Sequence, residues 1–374
     1  MTPWKTSWAE TRARHLRWWD HEGLVLAAWG TGLPRAEAWD RVAEPPKAAT
    51  LEDRHRDPAH VSARILHEMS GRDWPADMLP VAWPDLGTVS LAPTLGAVEG
   101  FAEDRIWYEP CIGDPASFPG IRFDPSEPRW RRLVAVVRET VQLARGRYLV
   151  GMPAIIPNLD VLAELRGTEA LLFDMMDRPE WVEERLVEID VAWEAAFTRM
   201  REIIARDGGM AFGYFMLWGT GNVGLLQCDV AATLSPRMFE RFAVPALRRE
   251  CAFLDHSMFH VDGHQCLDDV DMLLDIDGLD AIEWTPDPQI PSGGNPCWYP
   301  LYRKVLERGK SLWVANARSD EVVPLLDAIG GRGVYLTVDV GSVEEMERVA
   351  RLVEPYRAPP ETHTWNRRSR PVTG

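Results

Sequence analysis

The sequence predicts an α/β fold: a (β/α)8 barrel, or TIM barrel, with an N-terminal elaboration over the barrel mouth. Three observations predict it. Apolar, β-rich runs alternate with amphipathic helical stretches through the second half of the 374 residues, which implies a parallel sheet. Counting both halves gives eight such runs, the number that closes a barrel. An open doubly wound sheet would carry a glycine-rich phosphate loop after its first strand. None follows the first run, and GxxxxGK[ST] is absent.

The elements follow in chain order. GLVLAAWG (23–30) and MLPVAW (78–83) are the two strands expected in the first half. Residues 31–77 and 84–125 are rich in Pro, Gly, Asp and Trp and have weak periodicity, so about 1–125 reads as the elaboration. Six further strands are YLVGMPAII (148–156), MAFGYFMLW (210–218), SMFHVDG (257–263), LDAIEW (279–284), SLWVANA (311–317) and GVYLTVDVG (333–341). Helical stretches at 179–206, 236–255, 299–308 and 343–354 separate them. Pro179 and Pro236 open two of these, since a first-turn proline loses no hydrogen bond. One domain over 1–357 is expected. The polar, proline-rich tail 358–374 is expected to be disordered.

Composition narrows the function. A formal charge of -16 argues against nucleic acid and anionic membranes as partners. No apolar run of membrane-spanning length and no signal peptide are seen. The five cysteines are odd in number, widely spaced and free of any CxxC pair, which fits a reducing, cytoplasmic setting. Seventeen tryptophans exceed what a core alone needs and suit a pocket for a flat or ring-shaped organic ligand.

Barrel chemistry sits at the C-terminal strand ends and the loops just beyond them. Those positions carry Trp29, Trp83 and Asp85, then Trp218, Asn222 and Asp229. Further along they carry His260, Asp262, His264, Glu283, Trp284, Asp287, Asn316, Arg318 and Asp339. FHVDGHQC (259–266) is the richest segment. Alternation along a strand puts His260 and Asp262 on one face, toward the barrel axis. With Glu283 from the next strand they could share a divalent ion such as zinc. The plainer reading makes His260 a hydrogen-bonded core residue and Asp262 a cap. Asp229 is either a loop cap or an acid/base group. The indoles Trp29, Trp83, Trp218 and Trp284, with Asn222, His264, Asn316 and Asp339, are candidate substrate contacts. Asp262-Gly-His264 lacks the final Gly of DxHxxG, with Leu267 in its place, so no cobalamin is expected within the chain.

Three segments carry a family resemblance: NLDVLAELRGTEALLFDMMDRPEWVEERL (158–186), CDVAATLSPRMFERFAVPALRRECAFLD (228–255) and FHVDGHQCLDDVDMLLDIDGLDAIEWTPDP (259–288). Together they resemble the uroporphyrinogen decarboxylase and corrinoid methyltransferase superfamily, over about 155–355. The first 120 residues are most similar to its trimethylamine-corrinoid-like branch. The resemblance implies a (β/α)8 barrel. Decarboxylases of the family hold their substrate with an arginine-rich N-terminal loop, whereas LVLAAWGTGLPRAEAW (24–39) has one arginine. The zinc methyltransferases use an HxC pair and a late cysteine. Here Asp262 replaces the first cysteine, and Asp339 is the nearest residue to the second. A His/carboxylate set suits polarising an oxygen or activating water better than activating a thiol.

Three functions follow. One is a metal-assisted methyltransferase taking a small methylated substrate and passing the methyl to a separate corrinoid protein. Another is a lyase or hydrolase using Asp262, Glu283 and Asp229 as acid and base. The third is a non-catalytic binding barrel. A monomer or homodimer fits any of them.

Overall fold

The computed structural model describes residues 4–35, 41–84, 86–87 and 89–357. The tail 358–374 and Asp85 lie outside the described residues. The chain opens with a helix, α1 (Trp8–Trp19), and a strand, β1 (Leu24–Ala27). Then come β2 (Val81–Ala82), a helix α2 (Pro128–Ala144) and β3 (Leu149–Val150). Three helices follow, α3 (Leu159–Arg166), a helix over Thr168–Asp177, and α4 (Pro179–Ile204). Next is a hairpin of β4 (Met210–Phe212) and β5 (Leu217–Gly219), then β6 (Val223–Leu226). A helix α5 (Val244–Phe253) leads into β7 (His256–Asp262) and β8 (Ala281–Thr285). The last strands are β9 (Ser311–Arg318) and β10 (Val334–Asp339).

Six strands form one parallel sheet in the order β1-β10-β9-β8-β7-β6. β2 and β3 form a separate parallel pair. A parallel bridge from Met152 to Phe212 ties that pair toward the hairpin, and the Asp77 amide donates to the Leu26 carbonyl beside β1. The hydrogen-bonded ladder is interrupted on both sides of β2–β3. The established architecture is therefore an α/β fold with a central parallel sheet and many helices, and a closed cylinder is not shown.

The expected strand 210–218 is instead a tight antiparallel hairpin. Its nine-residue run reads as one buried strand because both arms are buried. Gly213 breaks it: a Cβ there would sit 2.8 Å from Trp83 Cδ1, and Met216 adopts a left-handed φ of 51°. The next parallel strand is β6, whose NVGLL sequence is too short and too glycine-rich to stand out. Gly224 is needed there, since a Cβ would meet Leu254 Cδ1 at 2.6 Å. GTGNVG (219–224) matches GxGxxG by letter but precedes a strand, so it makes no helix-capping phosphate loop.

The elaboration divides. Its helix Pro58–Ser70 packs against α2 on the flank, rather than over the strand ends as expected. The 89–112 segment does lie beside the C-terminal ends. The Ser90 amide donates to Ala154, and those of Cys111 and Ile112 donate to Leu165 at the end of α3.

α1 closes the opposite, N-terminal end. Trp18 Nε1 donates to the Leu312 carbonyl, and Trp19 Nε1 to that of Trp218. Fully buried Asp77 ties three distant pieces of chain together. It accepts from Arg14 at 2.6 Å, from the Leu26 amide at 2.9 Å and from Arg357 at 2.5 Å. Such a charge is tolerable only because its partners replace the lost water.

Candidate active site

Neighbouring parallel strands place register partners on the same face. One row runs Val25, Tyr335, Trp313, Glu283, His260 across β1, β10, β9, β8 and β7. His260 is 8% exposed and Glu283 0%. Their side chains are bonded directly, Nδ1 to Oε2. Glu283 Oε1 accepts from Thr285 Oγ1 at 2.6 Å, so both carboxylate oxygens are held. Burial alone would lower the imidazole's proton affinity. The Glu283 charge and hydrogen bond, aided by Asp262 and Asp229, outweigh it and raise the pKa above the ordinary value. Nδ1 is committed to Glu283. Among the described residues Nε2 has no hydrogen-bond partner, and it is not sealed from solvent.

Beside this pair lies a second carboxylate group. Asp160, on the first turn of α3, is buried and accepts from the amides of Asp229 at 3.0 Å and Val230 at 3.1 Å and from Gln227 Nε2 at 3.3 Å. Gln227 Nε2 also reaches Asp229 Oδ2 at 3.1 Å. Asn158, with a left-handed φ of 69°, donates to the Gln227 carbonyl and so ties the loop after β6 to the start of α3. Asp229 is exposed to solvent at the C-terminal end of the sheet, yet protein crowds its carboxyl on most sides. That loss of water, then the Asp160 charge and the weaker push of Asp262, lifts its pKa to about 7 against the pull of His260. Burial likewise raises Asp160.

Aromatic rings form the wall above. Phe215, in the hairpin turn, lies 4.8 Å from the His260 ring, 4.9 Å from Trp313 and 5.2 Å from Trp29. Trp29 stacks on Trp313 at 5.7 Å and is 44% exposed. Tyr214 joins Phe215 to Trp83 at 4.7 and 4.9 Å. Trp29, Trp83 and Tyr214 are the rings with accessible surface, and Phe215 and Trp313 back them.

Of the residues singled out from sequence, His260, Glu283, Asp229 and Asp262 are therefore brought together, with Trp29 and Trp83 in the wall. Asn316 lies exposed at the end of β9, in a bulge with φ 51° whose amide donates to Thr337 Oγ1. Asp339 is the exposed register partner of Arg318, which pairs with Asp320. His264 is 61% exposed and held on the rim by Asp287 at 2.8 Å.

Three expectations are corrected. Trp218 is fully buried against Trp8 of α1, because it lies on the descending arm of the hairpin. Asn222 precedes β6 at its N-terminal end, bonded to Phe253 and Asp255, so it is at the wrong end for substrate. Trp284 follows Glu283 and so points the other way, into the helical layer against Trp298.

The metal expectation meets the same geometry. Among the described residues no three His, Cys, Asp or Glu side chains are arranged to hold a metal ion. Glu283 spends its oxygens on His260 and Thr285 instead.

Sequence reasoning missed Asp160, Tyr214, Phe215 and Trp313. Asp160 had a usable signal, a carboxylate just beyond a strand end. The rings had none, because Trp313 is mid-strand and the hairpin turn was unseen. A separate recess of about 560 Å³ lies on the outer face of α2 and α4, and none of these residues lines it.

No protein-family model matches the chain, and no curated protein matches it. Among solved structures it is similar to a methyltransferase from Methanosarcina mazei, with a TM-score of 0.62 and 14% identity. The match covers 93% of this chain and 99% of the other. At that identity the likeness is one of fold.

Proposed function

We propose that the chain is a methyltransferase that takes a methyl group from a small substrate and delivers it to the reduced corrinoid of a separate protein. The observation that carries this is the buried His260–Glu283 pair, whose Nε2 has no partner among the described residues and whose ring lies beside Phe215. Its fold likeness to a methyltransferase supports the same reading. The closed eight-stranded form of the fold belongs to this proposal too, since the strand order is the one such a closure produces.

Methyl transfer from a neutral ether or alcohol leaves an oxyanion that a proton neutralises. His260 is built to supply it. Glu283 fixes the ring through Nδ1 and favours the imidazolium, which leaves the Nε2 proton free to be given away. Thr285 keeps Glu283 from turning away. The heteroatom–methyl bond breaks as the acceptor's electron pair takes the methyl, and the heteroatom collects the His260 proton. No step is routed through a metal ion in this chain. Asp229 supports a second reading, a lyase or hydrolase, because a carboxyl titrating near 7 can serve as acid or base.

The test uses free cob(I)alamin as acceptor and a panel of O- and N-methyl donors, followed by the cobalt absorption spectrum. Enzyme-dependent appearance of methylcobalamin with at least one donor is expected. Hydrolysis or decarboxylation of panel compounds with no change at cobalt would overturn the proposal in favour of the second reading.

A further inference from the structure

The recess between α2 and α4 runs against the charge of the chain. The sequence holds 41 lysines and arginines against 57 aspartates and glutamates. Yet Arg131, Arg138 and Arg199 line this recess with a single acid, Glu202. Arg131 and Arg138 lie seven residues apart on α2, so they share one face. Arg199 comes from α4. It lies over the Phe123 ring at 5.5 Å and donates to the Ala195 carbonyl at 3.1 Å, and Phe123 packs edge-on against Trp130 at 4.9 Å. Its guanidinium is thus held in place before any ligand arrives. Among the described residues none of the three arginines is ion-paired, Glu202 included. Asp124 is held mainly by the Ser126 hydroxyl and amide, with Arg131 its weakest influence. Like charges gathered this way repel one another, and an anion among them turns repulsion into attraction. The floor is apolar, from partly buried Val134, Ala135 and Ile203. Trp130 also lines it and is 3% exposed; its Nε1 has no partner among the described residues and is not sealed from solvent. The volume of about 560 Å³ is that of a small-ligand site.

We infer that this recess is a second binding site and that it takes a small organic phosphate. A guanidinium presents a planar fork of donors that matches phosphate oxygens, and it stays charged at any working pH. The phosphate lies among Arg131, Arg138 and Arg199, and the carbon body rests on Val134, Ala135 and Ile203. A polyanion such as nucleic acid would extend beyond the three guanidiniums onto a chain of charge -16, whereas a single phosphate meets them alone. None of the residues around His260 lines the recess, so the inference stands apart from the proposed methyl transfer.

Calorimetric titration of the whole protein tests it with three probes: phenyl phosphate, inorganic phosphate and phenol. Phenyl phosphate should bind with a Kd below about 1 mM, and more tightly than either of its parts. The double variant Arg131→Gln/Arg138→Gln should weaken it at least about tenfold, the worth of one charge-assisted hydrogen bond. Arg237→Gln/Arg248→Gln removes the same charge from exposed arginines outside the recess and should leave binding within about twofold. Both pairs are exposed, so the variants should fold, and thermal melting checks this. Glu202→Gln removes the one acid and should tighten binding about two- to fivefold, a gain that misfolding cannot produce. The inference is overturned if phenyl phosphate shows no saturable binding below about 10 mM. It is also overturned if the Arg131/Arg138 variant binds as tightly as the wild type, if inorganic phosphate or phenol binds as tightly as phenyl phosphate, or if Glu202→Gln weakens binding.

Discussion

Glu283→Gln is the sharpest single perturbation, because it keeps volume and removes one charge. In the native chain Glu283 is fully buried, with Oε2 on His260 and Oε1 on Thr285 at 2.6 Å. The amide oxygen can still accept from Thr285. With the amide oxygen kept on Thr285, the amide nitrogen faces His260 Nδ1 and can only donate to it. The imidazole must become neutral, with its proton on Nε2, and burial, no longer opposed by the carboxylate, takes its pKa from above the ordinary value to below it. Breaking a buried charged pair costs about 3–5 kcal/mol, and retention of the Thr285 bond puts this case near the lower figure. The sign follows from linkage. A group whose pKa is raised by folding stabilises fully below its unfolded value of about 6.5, and loses that contribution as pH rises through the folded value. The variant's deficit should therefore be largest near pH 5–6 and shrink in alkali. Urea unfolding across pH measures the deficit, and 15N chemical shifts of His260 report charge and tautomer. An unchanged His260 titration in Glu283→Gln would refute the reasoning, whatever happened to stability.

Further outcomes are expected. Asp77→Asn should destabilise by about 3 kcal/mol or more in urea unfolding, since Arg14 and Arg357 lose their shared carboxylate; a loss under about 0.5 kcal/mol would mean that the cluster is not what holds the two ends of the chain. Asp229→Asn should flatten the fall in stability between about pH 4 and 7, because a carboxyl whose pKa is raised to about 7 withdraws stability as it ionises over that window; an unchanged pH profile contradicts the crowding described for Asp229. Trp284→Phe should lower the melting temperature but leave the rate of enzyme-dependent methylcobalamin formation unchanged, as its ring faces the helical layer; a lowered rate in a folded variant would place Trp284 in the site. Gly224→Ala should cost about 1–3 kcal/mol through the forced approach to Leu254.

What the sequence made legible, and what it hid, divides along physical lines. β7 to β10 were readable because each is a long buried strand bounded by turn residues, and their 2-residue period correctly paired His260 with Asp262. Glu283 follows from the same logic as a residue at the next strand's end, and in the structure it is the register partner of His260. The period misled at Trp284: being adjacent to Glu283, it had to face away, so strand-end position alone is not a pocket signal. The hairpin was hidden because hydrophobicity cannot distinguish one strand from two buried arms, and its turn is marked by Gly213 packed against Trp83 and by the left-handed backbone of Met216. That single error displaced Trp218 and Asn222 and concealed Phe215. The ligand set for a metal was composed from residue types at matching strand ends. Which partner each carboxylate oxygen takes is a matter of tenths of an ångström that no spacing encodes.

In the proposed reaction His260 Nε2 delivers the proton on which methyl departure depends. The rate of methylcobalamin formation in a single turnover, compared between the wild type and His260→Gln at matched folding stability, tests it most directly. Loss of about 10²- to 10⁴-fold is predicted, the usual worth of a positioned general acid. A variant within twofold of wild type would contradict the account.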